Sequence, residues 1–135
     1  MADQGVSVLI VDDQKPFRMA ARTVVGLTPG FDAVGEAETG EQAIEQVDAL
    51  APGLVLMDIN MPGMGGIAAT RQITTAHPGV RVVLLSTYAT DDLPADARTC
   101  GAVGYVHKEQ FGPDILTRLG DDGFDGDGTG APDGG

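Results

Sequence analysis

The chain has 135 residues, of which 42% are hydrophobic, and 20 acidic residues against 8 basic ones give it a formal net charge of −12. This length suits one domain with a core of its own, whereas the negative charge argues against direct binding to nucleic acid and to anionic membranes. Its single cysteine, Cys100, excludes an internal disulfide, and no apolar run reaches the roughly 18 residues that span a membrane, so we expect a cytoplasmic protein.

Apolar residues alternate along the chain between runs typical of strands and spacings typical of helices. The predicted strands, in chain order, cover residues 6–11, 32–37, 54–57, 81–85 and 102–106. The predicted helices that follow them cover residues 15–27, 39–50, 66–76, 95–100 and 113–119. The second strand is the most polar of the five, which is typical of a strand at a sheet edge.

Local signals mark the ends of several helices. Thr39 and Gln42 have the spacing of a capping box at the start of the second helix. Gly120 is expected to end the last helix. Residues 120–135 are rich in Gly and Asp with almost nothing to bury, so we expect a folded domain over residues 1–119 and a disordered acidic tail over 120–135.

The order of the elements predicts the fold class. Strands that alternate with helices form right-handed crossovers and a parallel sheet with helices on both faces. The continuous apolar character of three of the strands is what burial on both faces requires. We therefore predict an α/β fold, a three-layer (βα)5 sandwich with a five-stranded parallel sheet.

Polar and charged side chains follow four of the predicted strands, at the sheet edge where α/β proteins place functional groups. Each has an ordinary explanation as a helix cap, a turn residue or a solvated lysine. His107 is interpreted as a strand-end spacer, because no second imidazole is spaced to share a metal. The set, in chain order, is Asp12, Asp13, Asp58, Ser86, Thr87, His107 and Lys108.

Placing the three carboxylates of this set close together costs electrostatic free energy. Two carboxylates about 5 Å apart repel by roughly 3 kcal/mol at an effective dielectric near 20, so three of them require a cation. Oxygen ligands favour Mg²⁺, with Mn²⁺ as a second choice. With such an ion, Asp58 could attack phosphorus to form an acyl phosphate, while Lys108 neutralises the phosphoryl oxygens and Ser86 donates a hydrogen bond.

Four segments in this order, VLIVDDQ, LVLMDINMPGMGG, VVLLSTYA and GAVGYVHKE, resemble those of the receiver domains of bacterial two-component response regulators. The resemblance covers about residues 6–119 and implies the flavodoxin-like fold of chemotaxis receivers. It implies a signalling switch in which Asp58 accepts a phosphoryl group from a histidine kinase or a histidine phosphotransfer protein. The altered surface would then bind an unknown downstream protein, and the domain would catalyse only its own phosphorylation and dephosphorylation.

The resemblance also implies roles at the metal site. Asp13 and Asp58 would bind Mg²⁺ through their side chains. Asn60 would bind it through its backbone carbonyl, and Asp12 would act through a metal-bound water.

Further roles implied by the resemblance concern the phosphoryl group and the response to it. Ser86 and Lys108 match the positions that contact the phosphoryl group. Tyr105 matches the switch aromatic, which turns inward when the Ser86 hydroxyl is drawn to the phosphate. We expect a monomer, or a weak dimer that forms on phosphorylation.

Two features leave alternatives open. Glu109 stands where many receivers have proline, and in this the chain resembles subfamilies with transcriptional output. No helix-turn-helix segment follows in the sequence, however. We therefore expect a stand-alone receiver or one without its output domain. A phosphorylation-independent interaction module on the same fold would lack one or more of the acids, the lysine or the hydroxyl, and all are present. A hydrolase of the haloacid-dehalogenase type would need a second acid where this chain has Asn60.

Tyr88 gives a prediction on the lifetime of the phosphorylated state. By the resemblance, Asn60 and Tyr88 flank the path of a water that attacks the acyl phosphate, and the bulk of Tyr88 restricts that water. We expect the acyl phosphate to decay faster in Tyr88→Ala, measured as the loss of phosphorylated mass with time. An unchanged or slower decay would contradict this hypothesis.

Overall fold

A computed structural model of the chain describes residues 5–61, 63–87 and 95–121. The strands are β1 (Val6–Val11), β2 (Phe31–Ala37), β3 (Leu54–Asp58), β4 (Arg81–Ser86) and β5 (Gly104–His107). The α-helices are α1 (Lys15–Leu27), α2 (Gly40–Leu50), α3 (Gly65–Ala76) and α4 (Pro113–Asp121). Two short 3₁₀ helices cover Ala95–Arg98 and Lys108–Gln110. Tyr88 and the acidic tail from residue 122 lie outside the described residues.

The five strands form one parallel sheet in the order β2-β1-β3-β4-β5. The three apolar strands β1, β3 and β4 are central, and every residue of β3 is buried. The polar strand β2 lies at an edge, as its composition predicts. This arrangement confirms the predicted α/β fold with a five-stranded parallel sheet.

Each face of the sheet carries its own apolar cluster. Leu54 and Leu56 of β3 pack on the face covered by α1 and α4, whereas Val55 and Met57 pack on the face covered by α2 and α3. This alternation produces three layers, with the sheet between two pairs of helices. None of the described helices combines the length and apolar character that crossing a membrane requires.

The predicted capping box at the start of α2 is half confirmed. The Thr39 side chain accepts a hydrogen bond from the backbone N–H of Gln42 at 3.0 Å. The Gln42 side chain, however, accepts from the N–H of Glu38 at 2.9 Å, one residue before the expected partner.

Other boundaries differ from the predictions at the strand and helix ends. Asp58 is the last residue of β3, where it pairs with Leu85 of β4. The strand predicted from residue 102 begins at Gly104, where pairing with β4 starts. The prediction that Gly120 ends the last helix is wrong: α4 continues to Asp121, since a glycine near a helix end costs only about 1 kcal/mol. The division into a domain over 1–119 and a tail over 120–135 stays a prediction.

Gly66 allows the first turn of α3 to approach the end of β3 closely. A Cβ atom at this position would overlap the carbonyl oxygen of Asp58 and lie 2.9 Å from its carbonyl carbon. The N–H of Gly66 donates to the carbonyl of Ile59 at 3.1 Å, which holds the two segments together. Backbone packing therefore sets the position of the Asp58 main chain.

We expect Gly66→Ala to lower the free energy of unfolding by about 1–3 kcal/mol, because the added methyl group must displace the strand end. Gly26→Ala on α1 is the matched control, since a Cβ there meets nothing within 4 Å. That helix substitution should instead raise stability by about 0.5–1 kcal/mol. Urea denaturation of both variants measures the difference, and equal effects would contradict the close approach.

Candidate functional site

The neighbouring ends of β1 and β3 bring three carboxylates together. Asp12 and Asp13 follow β1 directly, and Asp58 ends β3. One carboxylate oxygen from each residue lies within 4.8 Å of the others. Asp12 and Asp58 are buried, whereas Asp13 is exposed. The strand ends therefore create a concentrated negative charge that solvent can reach on one side only.

Lys108 lies directly after β5 and supplies a positive charge to the two buried carboxylates. Its Nζ atom lies 2.5 Å from Oδ2 of Asp12 and 3.3 Å from Oδ1 of Asp58. Burial alone would lower the pKa of Lys108, but the hydrogen bond to Asp12 and the charge of Asp58 outweigh it and hold the pKa above its usual range. Lys108 therefore stays protonated at this site.

Lys108 also lies over an aromatic ring. Its Nζ atom is 4.7 Å from the centroid of the Phe17 ring on α1, a distance at which a cation is attracted to the ring face. The ring of Phe111 packs against Phe17 with centroids 6.3 Å apart. Lys108 thus contacts two carboxylates and one aromatic ring, which is itself supported by a second ring.

The carboxyl group of Asp58 is hard to ionise in this setting. Burial and the neighbouring charge of Asp12 raise the pKa of Asp58 to about 6, against the opposing effect of Lys108. The backbone N–H of Asn60 also donates to Oδ1 of Asp58, at 3.3 Å. Both the Lys108 contact and the Asn60 contact are made with Oδ1.

Asp12 is fixed by a different partner at each polar atom. Its N–H donates to the carbonyl of Ala37 at 3.0 Å, and its own carbonyl accepts from Nη1 of Arg18 at 2.8 Å. Its Oδ1 accepts from the N–H of Gln14 at 2.8 Å, and its Oδ2 pairs with Lys108. The Asp12 carboxylate is therefore held by a hydrogen bond at Oδ1 and by an ion pair at Oδ2.

Ser86 and Tyr105 lie near this cluster on β4 and β5. Ser86 is buried at the end of β4 and follows the register partner of Asp58. Tyr105 is half-buried against the apolar cluster on the α2 and α3 face, and its hydroxyl donates to the carbonyl of Ala97 at 2.7 Å. The structure thus brings Ser86 to the sheet edge of the carboxylates and ties Tyr105 to the 3₁₀ helix Ala95–Arg98.

His107 and Arg18 make contacts that were not predicted from the sequence. His107 is more than a spacer, because its Nε2 atom lies 3.0 Å from the carbonyl of Thr87 and its Nδ1 accepts from the N–H of Glu109 at 3.1 Å. Its position beside Lys108 was the available signal. Arg18 is buried on the same helix face as Ala21, and a basic residue at this apolar spacing could have been recognised as unusual.

The donor set fits a hard divalent cation. Carboxylate oxygens from Asp12, Asp13 and Asp58 are the candidate ligand atoms, and oxygen is the ligand that Mg²⁺ prefers. Lys108 contributes one positive charge against three negative ones, so an additional cation reduces the remaining repulsion. The exposed side of Asp13 gives such an ion access from solvent.

Comparison with known proteins shows which family the chain resembles. The sequence pattern of the family described as response regulator receiver domain matches residues 8–119. The chain is 39% identical over 114 residues to the response regulator UvrY of Escherichia coli (strain CFT073), which covers 84% of the chain and 52% of that protein. It is 36% identical over 107 residues to the transcriptional regulatory protein DegU of Brevibacillus brevis, covering 79% and 45% of the two proteins.

Solved structures agree with this match. The signal receiver domain of the response regulator NarL from Mycobacterium tuberculosis superposes with a TM-score of 0.81 at 27% identity, covering 92% of this chain and 99% of that one. The chain spans about half the length of the relatives UvrY and DegU.

The raised pKa of Asp58 predicts a pH-dependent cost of ionisation in metal-free protein. The folded state binds this proton more tightly than the unfolded chain does. The proton's contribution to the free energy of unfolding is therefore complete below the ordinary pKa of 3.8 and is lost as the pH rises through about 6. With a chelator present, we expect Asp58→Asn to raise the free energy of unfolding by up to about 3 kcal/mol at about pH 7.5 and by about 1 kcal/mol at about pH 4.5.

Urea denaturation at the two pH values measures this gain. Asp32→Asn is the control, because it removes one negative charge from an exposed position near the start of β2, whereas the carboxylate cluster lies where the strands end. A gain that is equal at both pH values, or matched by Asp32→Asn, would contradict the prediction.

Proposed function

The chain belongs to the family of response regulator receiver domains, and from this membership we propose that Asp58 is the residue that accepts the phosphoryl group. Receiver domains are phospho-accepting signalling switches of two-component systems rather than ordinary metabolic enzymes, and this chain is one of them. The observation that carries the assignment is the contact between Lys108 and the buried carboxylate of Asp58.

The proposed transfer uses the two oxygens of Asp58 differently. Oδ1 is engaged by Lys108 and by the N–H of Asn60, so we assign the attack on phosphorus to Oδ2. The new P–O bond forms as the P–N bond of a donor phosphohistidine breaks, and the bonding electron pair returns to the donor imidazole. Lys108 stabilises negative charge on the transferred oxygens, which is the main requirement of this chemistry.

We propose Mg²⁺ as the cofactor, with Mn²⁺ as a substitute. Receiver domains bind Mg²⁺ at an acidic pocket, and the described acidic cluster is the candidate pocket here. By the resemblance to the family, Asp13 and Asp58 would hold the ion through side chains and Asn60 through its carbonyl, while Asp12 would act through a metal-bound water. When bound, the ion supplies positive charge that offsets the carboxylates and the phosphoryl oxygens.

The proposed response to phosphorylation passes through Ser86 and Tyr105. Ser86 is buried at the same sheet edge as Asp58, where its hydroxyl can donate to a phosphoryl oxygen. Tyr105 is half-buried and bonded to the carbonyl of Ala97, so a movement of the β4 end changes the packing around that bond. The altered surface near the 3₁₀ helix Ala95–Arg98 would then change the binding of a downstream protein.

Membership of the family indicates the class of partner protein. Receiver domains of response regulators interact with histidine kinases, and we propose a histidine kinase or a histidine phosphotransfer protein as the donor. Control of transcription, as the name of the relative DegU states for that protein, is a proposal for a longer polypeptide. We expect this domain itself to be a monomer or a weak phosphorylation-dependent dimer in the cytoplasm, without direct contact with nucleic acid.

A mass measurement tests the proposed function. After incubation with Mg²⁺ and acetyl phosphate, we expect the intact mass to rise by one phosphoryl group. Asp58→Ala and chelation of the metal should each abolish the increase, whereas the exposed control Asp32→Asn should keep it. Absence of an adduct with acetyl phosphate and with a panel of histidine kinases would favour the alternative, a phosphorylation-independent interaction module on the receiver fold.

A further inference from the structure

We infer that Arg18 is a positioning residue for the proposed metal site, because it fixes the main chain that carries Asp12 and Asp13. The inference rests on the Mg²⁺ site proposed above. Arg18 lies in the first turn of α1 and contacts the main chain of Asp12 directly after β1. Its role would be to hold ligands in place rather than to contact the metal or the phosphoryl group.

Arg18 is a buried cation with polar partners on two strands. Only 7% of the residue is exposed. Its Nη1 atom donates to the carbonyl oxygen of Asp12 at 2.8 Å, and its Nε donates to Oε1 of Glu36 at 3.0 Å. A longer ion pair of 3.6 Å reaches Glu38. One side chain thus connects α1 to the end of β1 and to the end of β2.

The contact with the Asp12 carbonyl acts on Asp13 as well. That carbonyl belongs to the peptide group between the two aspartates, so its direction sets where the Asp13 backbone leaves the strand. The guanidinium group is planar and its donors have a fixed geometry, so the bond from Nε to Glu36 also fixes the direction of Nη1. A lysine at this position could not make both contacts with the same geometry.

Charge and positioning predict opposite effects on cation binding. Arg18 brings a positive charge close to the carboxylates, and by charge alone its removal would tighten the binding of Mg²⁺. If Arg18 positions the Asp12–Asp13 turn, its removal loosens the ligand geometry and weakens binding instead. Loss of a group that orients metal ligands typically weakens metal affinity by about 10- to 100-fold.

The test is a titration of the full chain with MgCl₂, followed by calorimetry or by backbone amide NMR signals. Arg18→Lys keeps the charge but loses the paired geometry, and Arg18→Met removes both. Arg22→Met is the matched control, because Arg22 pairs with the same Glu36 at 3.0 Å and, in the described part of the chain, not with Asp12. Urea denaturation without Mg²⁺ reports the stability of each variant separately.

We expect the dissociation constant for Mg²⁺ to rise about tenfold in both Arg18 variants and to change by less than about twofold in Arg22→Met. Unchanged or tighter binding in the folded Arg18 variants, or an equal loss in Arg22→Met, would overturn the inference. If Arg18→Met does not fold, Arg18→Lys decides the question alone. A native chain that binds no Mg²⁺ would instead overturn the proposed metal site.

Discussion

Repulsion among three carboxylates at one sheet edge is the constraint on which the surrounding structure depends. Asp12 and Asp58 are buried there, so water cannot screen their charges as it screens that of the exposed Asp13. Lys108 contacts both buried acids, and the pKa of Asp58 is nevertheless raised, first by burial and then by the charge of Asp12. The fold therefore keeps a site that gains from an additional positive charge.

Helix α1 supports this site with two consecutive residues that point in different directions. Phe17 lies against Lys108, whereas Arg18 reaches the main chain of Asp12 and the side chain of Glu36. Successive residues of a helix are about 100° apart around its axis, so one turn can contact the lysine on one side and the strand end on the other. The lysine and the aspartates thus share one supporting element.

Sequence patterns predicted the fold well wherever local periodicity determined the structure. The bounds of β1 and α1 agree with the predictions, because the apolar runs there match the buried faces. The carboxylates and Lys108 could be placed together because parallel strands end at a common edge. The contacts of Arg18 and His107 could not be predicted, since they involve backbone carbonyls whose direction depends on tertiary packing. The switch roles of Ser86 and Tyr105 remain predictions.

The close contact between Gly66 and the Asp58 carbonyl has a consequence for how such a domain can diversify. Because backbone packs directly on backbone there, any side chain larger than that of glycine at position 66 would displace the main chain of Asp58. We therefore expect substitutions on the exposed helix faces to leave the main chain of Asp58 in place. Such substitutions can change the outer surface of the domain while this contact between α3 and the end of β3 is kept.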